Sequence, residues 1–242
     1  MSTFYIESPR KNIYEFILST NTYSFEAFTS KIRYEIKQSL KNYSFKRPSI
    51  EDLKHYGLII NKQTVNRQLR KEDVMTVEKF WNDYIMTIYS NNEFIIIGAY
   101  RKDAMVGYVT VYELEGRYNF LHAYIDRETS GNISPMRGLI YVLINQLIEQ
   151  YGAIEISYGL DIFDSLPKLN SFKRSMLFEQ VPSTRGYLIH PFLLIFFKLI
   201  VSFYIRLLKR KNIGNPYVRT ILRLYQGSRI LDNELKNTQL PA

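Results

Sequence analysis

The sequence predicts an α/β (α+β) fold: a mixed, mostly antiparallel sheet flanked by helices, with N-terminal helices before it and C-terminal amphipathic helices after it. Three observations predict it. Between Phe94 and Asp126, three apolar, alternating stretches are separated by short polar turns, as in a meander of antiparallel strands. A strongly apolar helix over 134–151 then leads to a further strand at 153–160, and a strand reached through a helical crossover lies parallel to the one before it. Finally, nine of the basic residues and no Asp or Glu lie between Gln180 and Ile230, so the net charge of +9 belongs to the C-terminal segment and the remainder is balanced.

Taken in order, residues 13–18, 25–40 and 50–60 carry apolar side chains at spacings of three and four and read as helices. Val77, Phe80, Trp81, Tyr84, Ile85 and Ile88 mark an amphipathic helix over 76–89 that must pack on a larger element. Strands follow at 94–100 and 104–113 about the turn Arg101-Lys102-Asp103, and after Glu115-Gly116 a third runs over 118–126. A loop at 127–133 precedes Ser134, a good N-cap, and Pro135, favoured at the first helical position; Gly152 stops the helix. A short helix over 166–176 and a final hairpin from 178–181 and 187–189 complete the order. The expected organisation is an N-terminal helical segment (1–75) packing on a main domain (76–190), a basic amphipathic segment (191–231) and a loose tail (232–242).

The absence of cysteine excludes disulfides, thiolate metal sites and cysteine nucleophiles, and the first eight residues lack the regions of a signal peptide, so a cytoplasmic location is expected. No metal-ligand spacing, nucleophile elbow or Walker loop is present, and no metal is expected.

Ile156-Ser157-Tyr158-Gly159-Leu160, followed by Leu169, Phe172-Lys173 and Met176-Leu177-Phe178, resembles the "yGl … L..FK..mGF" ending of FemAB-like proteins and related members of the GNAT superfamily, with Leu177 where glycine is usual. Residues 33–40 resemble the basic helix near the start of that domain, and Thr64, Arg67, Gln68 and Arg70 its "T..RQ.R" segment, so that the match covers residues 28–191. The resemblance implies an N-acyltransferase that moves an acyl or aminoacyl group to an amine, on a cell-envelope or glycan precursor. The implied donor is an acyl-coenzyme A such as acetyl-coenzyme A, or an aminoacyl-tRNA.

It also implies site residues, each of which has a plainer reading. The amides of Met136, Arg137 and Gly138, with the Ser134 hydroxyl, lie where such a fold seats the carrier's pyrophosphate, and a helix N-terminus offers unpaired donors to an anion; the plainer reading is ordinary capping. The glycine-rich "[QR]-x-x-G-x-[GA]" loop of coenzyme A users is absent, because Gly131 and Gly138 are too far apart. Lys173 is placed to position the acyl carbonyl or stabilise developing negative charge, or is a solvated lysine. Tyr158 reads as a wall residue or as a proton donor to a thiolate. Asp126 stands where an amine would be deprotonated, or is a loop carboxylate; His122 reads as packed within the sheet.

Residues 192–205 are nearly all apolar, but Lys198, Ser202 and Arg206 fall four apart and Lys209-Arg210-Lys211 follow. Basic amphipathic helices suit the anionic inner face of a membrane; a cover for the domain or a homodimer surface, and a true span, are the other two readings. Two further functions compete with acyl transfer. One is a GNAT-shaped binding module without a working carrier site, recruited to the membrane; the other is nucleic-acid binding, which so apolar a segment fits poorly except for tRNA as donor.

Overall fold

The computed structural model describes residues 2–5, 13–68, 73–160 and 167–188. The expectations for Arg70, for the 191–231 segment with its apolar stretch, and for the 232–242 tail lie outside them. Among the described residues, no helix is long and apolar enough to cross a membrane.

Among the described residues, nine strands and seven α-helices follow in the order β1 (Ser2–Tyr5), β2 (Ile13–Thr20), α1 (Ser30–Asn42), β3 (Ser44–Lys46), α2 (Ile50–Asp52), α3 (Leu58–Arg67), α4 (Glu78–Ser90), β4 (Phe94–Arg101), β5 (Ala104–Leu114), β6 (Arg117–Ile125), α5 (Arg127–Ser130), α6 (Met136–Tyr151), β7 (Ile154–Leu160), α7 (Pro167–Ser175), β8 (Glu179–Ser183) and β9 (Arg185–Leu188). A mixed, mostly antiparallel sheet of seven strands runs in the order β3-β4-β5-β6-β7-β2-β8. By internal contacts the described residues fall into two compact units, one within residues 17–159 with 173–178 and a smaller one that includes β1, β8 and β9. In the smaller unit, β1 and β9 form an antiparallel ribbon from Ser2 opposite Leu188 to Tyr5 opposite Arg185.

The predicted meander is present. β4, β5 and β6 pair antiparallel, and the β5–β6 turn places Glu115 and Gly116 at φ of 54° and 78°, the positive values a tight two-residue hairpin requires. β7 runs parallel to β6, as the helical crossover dictates. On one face of the sheet, α6 buries Leu139, Ile140, Leu143, Ile144 and Leu147; Trp81, Ile85 and Ile88 of α4 join Tyr108 and Tyr124 in a core on the other.

Three expectations are corrected. Residues 13–18 are not a helix but most of β2, a strand lying between β7 and β8. Ile13, Phe16 and Leu18 are all buried, and a strand covered on both sides loses the alternation that would distinguish it from a helix. The final hairpin does not form: β8 and β9 are longer than their patterning suggests and leave only Thr184 between them, fewer than the two residues of a tight hairpin turn, so β9 pairs with β1 instead. The α6 start also shifts by one, with Pro135 at the N-cap and Met136 the first helical residue.

Between α2 and α3 the backbone widens into a π-helical stretch, Leu53–Gly57. It makes room for Trp81, whose indole N–H donates to the Leu53 carbonyl at 2.9 Å and whose ring lies against Gly57.

The buried tyrosines carry a pH prediction. Burial raises the phenol pKa of Tyr23, Tyr84, Tyr108 and Tyr158, and burial together with the hydrogen bond to Asp52 raises that of Tyr100. An unfolded tyrosine ionises near pH 10. The stability contributed by these neutral phenols is therefore complete below about pH 10 and is lost as pH rises from there toward the folded values. Phenolate absorbance should emerge together with loss of the tertiary signal in one cooperative alkaline step; a smooth titration near pH 10 with the fold intact would contradict the burial.

Candidate active site

The candidate site lies within the larger unit, where the parallel ladder stops. Arg117, Tyr118 and Asn119 of β6 pair with Glu155, Ile156 and Ser157 of β7, and the pairing extends no further among the described residues. One residue on, Phe120 stands opposite Val111 and His122 opposite Thr110, so Leu121 is an extra residue, a β-bulge. Open sheets take ligands beyond the carboxyl ends of their parallel strands.

Aromatic side chains line this point. Phe120 stacks on Tyr158 with ring centroids 4.4 Å apart, and Phe178 meets Tyr158 edge-on at 5.3 Å. The Lys173 ammonium lies 5.2 Å from the centre of the Tyr158 ring, a cation–π distance. Lys173 is only 4% exposed, so the plainer reading of a solvated lysine is set aside. Tyr158 is half-buried, and burial raises its phenol pKa, which keeps the hydroxyl neutral.

The backbone around Lys173 is tightly wound. Its carbonyl accepts from the amides of Met176 and Phe178 at 3.0 and 3.2 Å, and Leu177 sits at φ 66°. That left-handed conformation explains why the resembled ending has glycine here; in this chain leucine adopts it at a steric cost of about 1–2 kcal/mol.

At the start of α6, Leu139 N–H reaches the Pro135 carbonyl at 2.9 Å, so the earlier amides of the first turn have no acceptor within the helix. Ser134 is exposed, and its hydroxyl accepts from Met136 N–H at 3.4 Å. The Arg137 guanidinium forms an ion pair with Glu35 and donates to the Ser175 hydroxyl at 2.8 Å, so it ties α6 to α1 and to the end of α7. Gly138 serves close packing: a Cβ there would lie 2.3 Å from the Ser39 hydroxyl oxygen and 2.5 Å from the Phe45 ring.

Asp126 is 5% exposed and caps α5, accepting from Glu128 and Thr129 N–H at 2.8 and 3.1 Å. The Thr129 hydroxyl also donates to it, and Gln63, with its amide nitrogen turned inward, donates at 3.0 Å. Its lone pairs are thus engaged by the fold. Thr64 of the "T..RQ.R" segment donates to the Ile125 carbonyl at 3.0 Å and fixes α3 beneath the end of β6. His122 is half-buried, with the rings of Tyr84 and Tyr124 each 5.2 Å away.

Two residues that sequence reasoning does not single out hold the loop before α6. Tyr43 donates to the Ser130 carbonyl at 2.6 Å and to that of Ile133, and Arg101 donates to the Thr129 and Ser130 carbonyls at 3.2 and 3.3 Å. Tyr43 and Ser130 are 87 positions apart, and no local pattern marks the pair.

The sheet and its flanking helices make up a fold shared with solved structures. The chain is similar to FemX (TM-score 0.57, 10% identity, covering 70% of this chain and 60% of that one). It is also similar to the C-terminal domain of a protein described as a lysylphosphatidylglycerol synthetase from Agrobacterium fabrum (TM-score 0.53, 10% identity, 76% and 60% covered). L-PGS from Bacillus licheniformis matches comparably (TM-score 0.51, 13% identity, 75% and 60% covered). The chain thus spans about 60% of the length of each. No protein-family model matches the sequence, and no curated protein sequence matches it.

Proposed function

We propose that this protein is an N-acyltransferase that moves an acyl or aminoacyl group from a thioester or aminoacyl carrier to an amine. The observation that carries this reading is the buried Lys173 held over Tyr158 where the β6–β7 ladder ends. In the proposed reaction the amine nitrogen attacks the acyl carbonyl carbon, a C–N bond forms and the bond to the carrier breaks. Lys173 offers positive charge to the carbonyl oxygen as it becomes anionic, and a neutral Tyr158 phenol can return a proton to the leaving group. The amides of Met136, Arg137 and Gly138, with the Ser134 hydroxyl, hold the carrier's phosphates.

Acyl-coenzyme A and aminoacyl-tRNA are the two donors this reading admits. The second is supported by likeness to FemX and to a synthetase named for lysylphosphatidylglycerol, an aminoacylated lipid, which also supports an envelope or glycan precursor as acceptor. The basic 191–231 segment would hold the protein at an anionic membrane surface, in which case its residence is cytoplasmic and peripheral.

A second reading, a catalytically inactive binding module, is favoured by one observation: Arg137 and Asp126 are both engaged in structural contacts. A thermal-shift and calorimetric screen of the full chain with acetyl-coenzyme A, longer acyl-coenzyme A species and charged tRNA separates the two. Stabilisation by one of these donors is expected; silence from all of them in a folded sample would leave the binding module.

A further inference from the structure

A lysine ammonium rides on a long, flexible stem, so its place over the Tyr158 ring depends on how firmly the backbone beneath it is held. That backbone needs holding. Leu177 sits at φ 66°, a left-handed conformation that leucine keeps only where its surroundings impose it. The Lys173 carbonyl accepts from the Met176 and Phe178 amides, so a slip anywhere in residues 175–178 is passed directly to Lys173.

Two side chains grip this turn. The buried Tyr23 donates its hydroxyl to the Met176 carbonyl at 2.9 Å. Arg137 reaches across from α6: its Nη1 donates to the Ser175 hydroxyl at 2.8 Å and lies 3.2 Å from the Met176 sulfur, while its Nε pairs with Glu35 of α1. The guanidinium is a rigid plane, so Glu35 on one edge fixes where the other edge points. With its side chain only 14% exposed, Arg137 is not a solvated charge. Burial pushes the Tyr23 phenol up and the Arg137 charge works against that rise, which sets the two grips close together.

We propose that Arg137 is a positioning residue for Lys173: braced by Glu35, it clamps the turn at Ser175 and Met176 and so keeps the ammonium over Tyr158. Its value to catalysis rests on the acyl-transfer reading; the clamp itself does not. The side chain then works through the protein and not on the carrier's phosphates, so its loss should change the rate and spare the affinity for donor.

The test uses the full chain with isotope-labelled lysine, read by NMR. The ε-methylene signal of Lys173, identified by its loss in Lys173→Met, is expected apart from those of the other lysines because the Tyr158 ring current displaces it. In Arg137→Gln it should return toward the position of a free lysine while the protein stays folded. Ser175→Ala, which deletes one contact of the clamp, should move it the same way by less. With whichever donor the wild type uses, acetyl-coenzyme A or charged tRNA, Arg137→Gln should lower kcat by about tenfold to a hundredfold, the effect of a small misplacement of one catalytic group. Donor affinity by calorimetry should hold, and no further loss should appear when Arg137→Gln is added to Lys173→Met. A Lys173 signal that stays in place in both variants, a rate loss as large in the Lys173→Met background as in the wild type, or a donor affinity that falls with the rate would each overturn the proposal. Should Arg137→Gln not fold, the signal in Ser175→Ala decides alone. If the signal moves but no donor binds the wild type, acyl transfer fails and the clamp stands; if a donor is used and the signal does not move, the clamp fails and acyl transfer stands.

Discussion

Replacing Lys173 with methionine is expected to lower the proposed acyl transfer by about two to three orders of magnitude, the usual effect of removing one group that stabilises charge developing in a transition state. Methionine keeps the length and much of the volume of the side chain and removes only the ammonium, and at 4% exposure no water can replace that charge without rearrangement. The loss should fall on kcat, with donor affinity by calorimetry largely retained, the pattern of an interaction made chiefly in the transition state. If Lys173 is instead a packing residue over Tyr158, the variant will alter the melting temperature and leave the rate as it was.

The second large effect concerns stability. A Cβ added at Gly57 would lie 2.3 Å from Cζ2 of Trp81, a ring that is 1% exposed and hydrogen-bonded through its indole to Leu53. The ring cannot swing outward without breaking that bond and opening the core around Tyr108 and Ile85. Overpacking a tight core costs about 1–3 kcal/mol and a strained or lost hydrogen bond about 1 more, against up to about 1 regained from alanine's better helix propensity. Gly57→Ala should therefore destabilise the protein by about 2 kcal/mol in denaturant unfolding. Trp81 is the chain's only tryptophan, so its fluorescence reports the displacement directly. An unchanged midpoint and spectrum would show that the π-helical stretch can absorb the added methyl group.

What could be read in the sequence was what local chemistry decides. The β4–β5–β6 meander announced itself through alternation and turn residues, and α6 through its apolar face and Gly152; the parallel setting of β7 followed from chain geometry. β2 was misread because a strand covered on both sides presents no clear period. At the site, the Lys173 and Tyr158 positions came from resemblance, and their proximity needed the fold. The engagement of Arg137 and Asp126 was not legible at all, since Glu35 lies 102 positions from Arg137 and the Gln63 that reaches Asp126 lies on a different helix.

The place of β2 has a consequence for biosynthesis. Ser19 on this strand donates to Glu155 of β7 at 3.2 Å across a separation of 136 residues. A ribosome must therefore release most of the polypeptide before β2 can find its neighbours, and contacts closed over so long a span form slowly. Until then its Ile, Phe and Leu side chains are an adhesive for other nascent chains, and yield in a heterologous host should depend more on chaperone supply and growth temperature than on the equilibrium stability of the finished molecule.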